Sequence, residues 1–363
     1  MVTVGEIYSY IDSIAPFDTQ MDFDNSGLLV GSKNDKVDKV LLALDITNEV
    51  VEEANNLNAN LIISHHPIIF KPIKSLSSDS IPYKLAKYGI SAICAHTNLD
   101  MSNQGVNKCL ADALGLKDTK PLTIYKEQKY HKIIVFVPKD SANKIRDVIN
   151  ESGVAKIGNY EGCTFSSIGE GRFRPCNGAN PFIGEINKVE VVEEVKIEFI
   201  CPSTKTNDIV DIIKESHPYE EPAIDIFETI SIEDKVVLGL IGNLEKEFEP
   251  AHFARYVKEC LNCNGVKYSN GKNNVKTVGL CSGGAGEFVF DAIKNNVDAF
   301  VTGEMKHHEV LAAASHGITT VQAGHFASED VVILPLMHLL SQKFNNIDFV
   351  KSGKLKEMDF YIV

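Results

Sequence analysis

Two adjacent histidines close an apolar run, Leu61-Ile62-Ile63-Ser64-His65-His66-Pro67. Leu61 to Ile63 reads as a buried strand, and Pro67 withdraws a backbone donor, so the ladder stops there. Side chains alternate across a strand, which sends neighbouring histidines to opposite faces. Just past the strand end both imidazoles are free to face one cleft, each reaching a different metal ion. Two further sets stand in matching places. His96-Thr97-Asn98-Leu99-Asp100 follows the apolar run Ile90 to Ala95, and Gly324-His325-Phe326-Ala327-Ser328-Glu329 follows Ile318 to Ala323. His96 and Asp100 are four apart, as are His325 and Glu329, a spacing that puts both members on one face of a helix. Imidazole combined with carboxylate suits zinc, manganese, iron or another first-row divalent ion. A lone His-x-x-x-Glu is more often a surface pair, and a lone His-His more often one core and one surface histidine. Three such sets, each after a strand, favour a shared metal site.

The elements that carry these residues repeat. Val40 to Asp45, a helical stretch through Glu52-Glu53-Ala54, and Ala59 to His66 match Val278 to Gly283, a helical stretch through Phe290-Asp291-Ala292, and Asp298 to Glu304. An offset of 238 aligns Val40 with Val278 and His66 with Glu304; a third strand follows in each half, with Tyr88-Gly89-Ile90 matching His316-Gly317-Ile318 at an offset of 228. Each half reads strand, helix, strand, helix, strand. The pattern predicts a duplicated α/β core, layered αβα, with parallel pairings and right-handed crossovers. The candidate ligands fall at strand carboxyl ends, where sites in open α/β sheets gather.

Between the halves the pattern changes, which divides the chain into a core of residues 1–125 plus 233–363 and an insert of residues 126–232. Lys132 to Pro138 reads as a strand, Asn143 to Ser152 as a helix, Cys163 to Phe173 and Val189 to Cys201 as strands, Thr206 to Ser216 as a helix, and Ala223 to Ile230 as a strand. This β-α-β-β-α-β order predicts a ferredoxin-like α+β unit.

Other motifs are less specific. Ser282-Gly283-Gly284-Ala285-Gly286 is either a phosphate-holding turn at a helix start or a tight turn that needs glycine. Asp24-Asn25-Ser26-Gly27 reads as a turn whose polar side chains can line the cleft. Thr302-Gly303-Glu304-Met305-Lys306-His307-His308-Glu309 occupies the second-half equivalent of the His65-His66 loop. There, orientation of ligating histidines is favoured over direct ligation. For His217, in His217-Pro218-Tyr219-Glu220-Glu221-Pro222, a structural or substrate-facing role is favoured over metal binding. His131, His252, His316 and His338 read as ordinary histidines.

The 363 residues include 49 acidic and 36 basic side chains, for a formal charge of −13. Such a surface repels phosphate backbones and disfavours non-specific nucleic-acid binding. No apolar stretch is long enough to span a bilayer. Met1-Val2-Thr3-Val4-Gly5-Glu6 lacks the basic region and apolar core of an export signal, and eight scattered cysteines suggest reduced thiols, so a cytoplasmic protein is expected. Cys260-Leu261-Asn262-Cys263 has no partner pair and reads as incidental rather than as a zinc ribbon.

Taken together, Asp24-Asn25-Ser26-Gly27, His65-His66-Pro67, His96 to Asp100, Ser282 to Gly286, Thr302-Gly303-Glu304 and Gly324 to Glu329 resemble the Nif-three-like dinuclear metal-centre family, many of whose members are named GTP cyclohydrolase 1 type 2 homologs. The resemblance covers nearly the whole chain. The insert, with Gly158-Asn159-Tyr160, Gly169-Glu170-Gly171 and His217 to Glu220, is similar to the PII- and CutA-like trimer-forming domain of longer bacterial members. The resemblance implies two divalent ions, zinc before manganese, iron or magnesium. It implies the ligands His65, His66, Asp100, His325 and Glu329, with the Glu329 carboxylate shared. It also implies a ring-like homohexamer.

Five ligands across two ions leave open coordination positions, the pattern of a catalytic site. The expectation is a metal-dependent hydrolase whose metal-bound hydroxide attacks an amide, a phosphoester or, as the family name implies, a purine ring carbon of GTP. His96, Glu304 and His307 are the candidates for moving protons. The rival expectation is a non-enzymatic metal-binding or regulatory scaffold whose insert senses a small ligand.

Overall fold

A computed structural model describes residues 1–158 and 160–354, the side chains of residues 231–234 excepted. Asn159 of the insert motif therefore lies outside the described residues. Two units are formed: Met1–Tyr125 together with the chain from Val236 onward, and Lys126–Lys235.

The strands, in chain order, are β1 (Gly27–Val30), β2 (Lys39–Ala43), β3 (Leu61–Ser64), β4 (Ser91–Cys94), β5 (Lys117–Pro138), β6 (Thr164–Phe173), β7 (Glu190–Pro202), β8 (Ile224–Phe248), β9 (Lys267–Ser269), β10 (Val275–Leu280), β11 (Ala299–Thr302), β12 (Thr319–Gln322) and β13 (Asp348–Lys351). In the first unit one sheet runs β1-β4-β3-β2-β13. Its β13-β2, β2-β3 and β3-β4 pairs are parallel, and β1 closes one edge antiparallel. A second run of strands, β8-β10-β11-β12-β9, has parallel β10-β11 and β11-β12 pairs between antiparallel neighbours. Strands β2, β3 and β4, and again β10, β11 and β12, alternate with helices in the chain, as expected for βαβ crossovers.

Near-continuous apolar stretches form the parallel strands because both of their faces are covered. Leu61, Ile62 and Ile63 are all buried. The covering helices are exchanged between the halves. Helix Val106–Ala113, which follows β4, buries Leu110 and Ala111 among Val278, Leu280, Ala299 and Val301 of β10 and β11. Helix Ile333–Lys343, which follows β12, buries Ile333, Leu336 and Leu340 among Val40, Leu42, Leu61 and Ile63 of β2 and β3. Each of these buried leucine and isoleucine side chains contributes about 1.5–3 kcal/mol of transfer free energy. Separating the halves would expose both faces at once.

In the second unit the order is strand β5, helix Ala142–Glu151, strands β6 and β7, helix Thr206–Ser216, strand β8, and the strands lie side by side as β6-β7-β5-β8. Alternate residues Ile133, Val135 and Val137 of β5, and Val195, Ile197 and Phe199 of β7, form one buried layer with Ile145, Ile149, Ile209 and Ile213 of the helices. The residues between them are half-buried on the other, helix-free sheet face. β5 and β8 extend beyond the expected 132–138 and 223–230, reaching from Lys117 and to Phe248. All eight cysteines are free thiols. Among the described residues no helix is long and apolar enough to cross a membrane.

Candidate metal centre

The site forms where β3, β4 and β12 end. Past β3 the amide of His66 donates to the Leu44 carbonyl at 2.9 Å, and the Ser64 hydroxyl donates to the His66 carbonyl at 2.9 Å. This turn aims both rings the same way, with centroids 5.0 Å apart. Past β4, His96 caps the short helix Thr97–Asp100; past β12, Gly324 precedes helix His325–Glu329. The rings of His65 and His96, His66 and His96, and His66 and His325 stand 5.1, 5.5 and 5.3 Å apart. Side-chain ligand atoms of His65, His66 and His96 converge, as do those of His66, His325 and Glu329, each set lying within 4.8 Å.

Every imidazole is anchored from behind. His65 Nδ1 lies 2.9 Å from the Ala95 carbonyl oxygen, which only accepts, so Nδ1 carries the proton. His66 Nδ1 lies 2.8 Å from Asp45 Oδ1, and His96 Nδ1 lies 2.8 Å from Asp24 Oδ1. His325 Nδ1 stands 3.4 Å from Glu304 Oε1. Carboxylates and carbonyls behind ligating histidines set tautomer and orientation in metal sites. The Nε2 atoms of His65, His66 and His325 all point toward Glu329.

His65 Nε2 is the diagnostic atom. The residue is 1% exposed, and this nitrogen has no hydrogen-bond partner. It lies 3.8 Å from Asp100 Oδ1 and 3.8 Å from Glu329 Oε1, too far for hydrogen bonds. A buried imidazole nitrogen faced by the buried Glu329 carboxylate and the half-buried Asp100 carboxylate is costly without a positive charge among them. The two oxygens of Glu329 divide their partners: Oε1 faces His65, while Oε2 lies 2.9 Å from His66 Nε2 and 3.3 Å from His325 Nε2. This donor set fits divalent cations.

Electrostatics agree. Burial opposes charge on His66, but the hydrogen bonds to Asp45 and Glu329 lift its pKa to about 10. The hydrogen bond to Glu329 lifts His325 to about 9 against burial. Burial pushes the Asp100 carboxyl up, whereas burial of Glu329 is overcome by His65, His325 and His66, which hold it well below the ordinary carboxylate range. The cluster holds protons tightly where a divalent cation would displace them. Burial also works against ionised Asp24, but hydrogen bonds from His96 and Thr97 keep it below the ordinary range.

The Ser282 to Gly286 segment forms a tight turn beside the carboxylates. Ser282 Oγ donates to Asp100 Oδ1 at 3.2 Å. Gly283 has φ +65°, and a Cβ there would come within 2.1 Å of Glu329 Oε1. Only glycine allows both this backbone and the carboxylate beside it.

The structure thus brings together His65, His66, His96, Asp100, His325 and Glu329. Glu304 is exposed; its carboxylate stands behind His325 and its amide donates to the Gly283 carbonyl at 3.2 Å. His307 is exposed at the start of helix His307–Ser315 and makes no contact with the cluster among the described residues. Sequence reasoning missed Asp45, which lies just past the end of β2, the same kind of position that revealed the ligands. It reached Asp24 as a turn residue able to line the cleft, without its pairing to His96.

A mixed α/β fold with a His/carboxylate cluster able to hold metal defines the class of this protein. The Duf34/NIF3 (NGG1p interacting factor 3) family profile matches residues 2–356, and the chain belongs to that family. It is 38% identical over 355 residues to the GTP cyclohydrolase 1 type 2 homolog of Staphylococcus aureus, covering 95% of this chain and 96% of the relative. Among solved structures it is similar to the Bacillus cereus protein related to NIF3, with 34% identity, TM-score 0.73 and 99% of each chain covered. The Staphylococcus aureus protein SA1388 is similar too, with 32% identity, TM-score 0.77 and the same coverage.

Proposed function

We propose that this protein is a dinuclear divalent-metal-dependent hydrolase. The unpartnered His65 Nε2, facing Asp100 and Glu329, carries the reading. His65, His66, Asp100, His325 and Glu329 would hold the ions, and the divided partners of the Glu329 oxygens support a shared carboxylate. Imidazole and carboxylate together favour zinc, with manganese, iron or magnesium as alternatives. Such a pair, when bound, supplies Lewis acidity and an acidified water.

The chain's own residues do the rest. Asp24 accepts the Nδ1 proton of His96, which leaves His96 Nε2 as a base turned toward the cluster and suited to taking a proton. Asp45 and Glu304 orient His66 and His325. A cavity of about 690 Å³ adjoins His66 and His325 and is lined by Asp45, Thr47, Asn48 and Phe326; its size suits a small molecule of nucleotide class. The name of the Staphylococcus aureus relative makes a purine nucleotide the first substrate to try.

The core is read as a duplicated α/β unit, supported by the repeated parallel triplets and the exchanged helices. The insert is read as ferredoxin-like, supported by its element order and sheet order. The assembly is proposed to be a cytoplasmic homohexamer, and light scattering should then give six times the 40.0 kDa of one chain. A regulatory scaffold is the second reading, favoured by an aromatic cavity within the insert.

Turnover of a nucleotide and phosphoester panel by metal-loaded protein and by Glu329→Gln tests the hydrolase. Activity confined to the unaltered protein is expected. Equal activity in both, or none in either, overturns it.

A further inference from the structure

The motif His217-Pro218-Tyr219-Glu220-Glu221 takes no part in the metal centre, yet it is tightly built. His217 is 8% exposed. Its Nε2–H donates to the Phe136 carbonyl at 3.0 Å, and its Nδ1 accepts from the Tyr219 amide at 3.0 Å. The neutral ring thereby pins a turn that lays Tyr219 toward the helix-free face of the insert sheet. There the Tyr219 ring meets Phe173 at 5.7 Å and Phe182 at 6.5 Å between centroids. Its hydroxyl donates to Glu194 Oε1 at 3.0 Å. The Glu194 carboxylate lies flat over Gly171, where a Cβ would come within 2.3 Å of Oε2. Glu220 accepts from the Asn180 amide at 3.0 Å and ties the β6–β7 loop over the same place.

These groups enclose a cavity of about 450 Å³. Four carboxylates and two guanidinium groups line it, Glu170, Glu194, Glu220 and Glu221 against Arg172 and Arg174. Arg172 is already paired with Glu170 at 2.7 Å. The remaining balance is negative, beside the Phe173, Phe182 and Tyr219 rings.

We propose that this cavity binds a small organic cation, an ammonium whose head packs against the Phe173 and Tyr219 rings beside Glu194. Aromatic faces attract cations, and a carboxylate adds a charge-assisted contact. An anion would meet the surplus carboxylates. A neutral apolar ligand would strip water from Glu194 and return nothing. The volume falls in the range of small-molecule pockets. The site lies wholly within the insert and does not depend on the hydrolase reading.

Calorimetric titration of the full chain with choline, with its neutral isostere 3,3-dimethylbutan-1-ol, and with 3,3-dimethylbutanoate tests the proposal. Choline is expected to bind at least about tenfold more tightly than the alcohol, with no binding of the carboxylate. Glu194→Gln should reduce the preference for choline while leaving the alcohol's affinity unchanged, and Phe173→Leu should weaken choline. Equal binding of choline and alcohol, tighter binding of the carboxylate, or no choline binding at millimolar concentrations overturns the proposal. These comparisons on the unaltered chain hold even if a variant fails to fold.

Discussion

His66 Nε2 and Glu329 Oε2 lie 2.9 Å apart although 263 positions separate the two residues in the chain. The contact exists because each half lends a helix to the other's sheet, which sets the end of β3 against helix His325–Glu329. The candidate metal centre therefore draws its residues from both parts of the chain and is complete in neither alone.

Behind His66 stands Asp45, whose Oδ1 accepts the Nδ1 proton at 2.8 Å. Asp45→Asn keeps the shape but removes the charge that orients and enriches the ring. Metal affinity, measured by competition with a chromophoric chelator, should fall about 10–100-fold. An unchanged affinity would show that Asp45 does not support the site.

At Gly283 the positive φ and the approach to Glu329 combine. Gly283→Ala should cost about 1–2 kcal/mol of stability from the backbone alone, read from urea denaturation. It should also displace the Glu329 carboxylate and lower metal content after dialysis. Full metal content with normal stability would contradict this account of the turn.

Leu340, fully buried on the exchanged helix, packs in the core of β2 and β3. Leu340→Ala should destabilise the protein by about 2–5 kcal/mol in the same measurement. A loss below that range would mean that the exchanged helix contributes little to joining the halves.

In the insert, burial lowers the pKa of His217 below its ordinary value, and both ring nitrogens are committed in the neutral form. A depressed folded-state pKa stabilises the fold above the unfolded value, near about 6.5, and that stabilisation is lost as pH falls through the folded value. The hydrogen-exchange protection factor of the Tyr219 amide should be high at neutral pH and decline on acidification below about pH 6.5. A protection factor that stays constant to the acid side would rule out this pin.

Much of this was legible in the residues themselves. His65-His66, His96 with Asp100, and His325 with Glu329 each follow an apolar strand, and local spacing carried that signal. Strands β2–β4 and β10–β12 were readable because buried parallel strands are continuous apolar runs. The helix exchange was not readable, because an amphipathic helix shows which face it buries but not against which sheet. For the same reason β13, pairing with β2 from the far end of the chain, leaves no local mark. Asp24 lay in view as a polar turn residue and Asp45 as the end of a strand run. Their role depends on imidazoles 72 and 21 positions away, which spacing cannot report.

Anomalous diffraction at metal absorption edges, from crystals of the unaltered protein grown with zinc or manganese, tests the central claim most directly. The account predicts two peaks in the cluster, one beside His65 and Asp100, one beside His66 and His325, and both in contact with Glu329. An empty cluster, or ions bound only elsewhere, would contradict it.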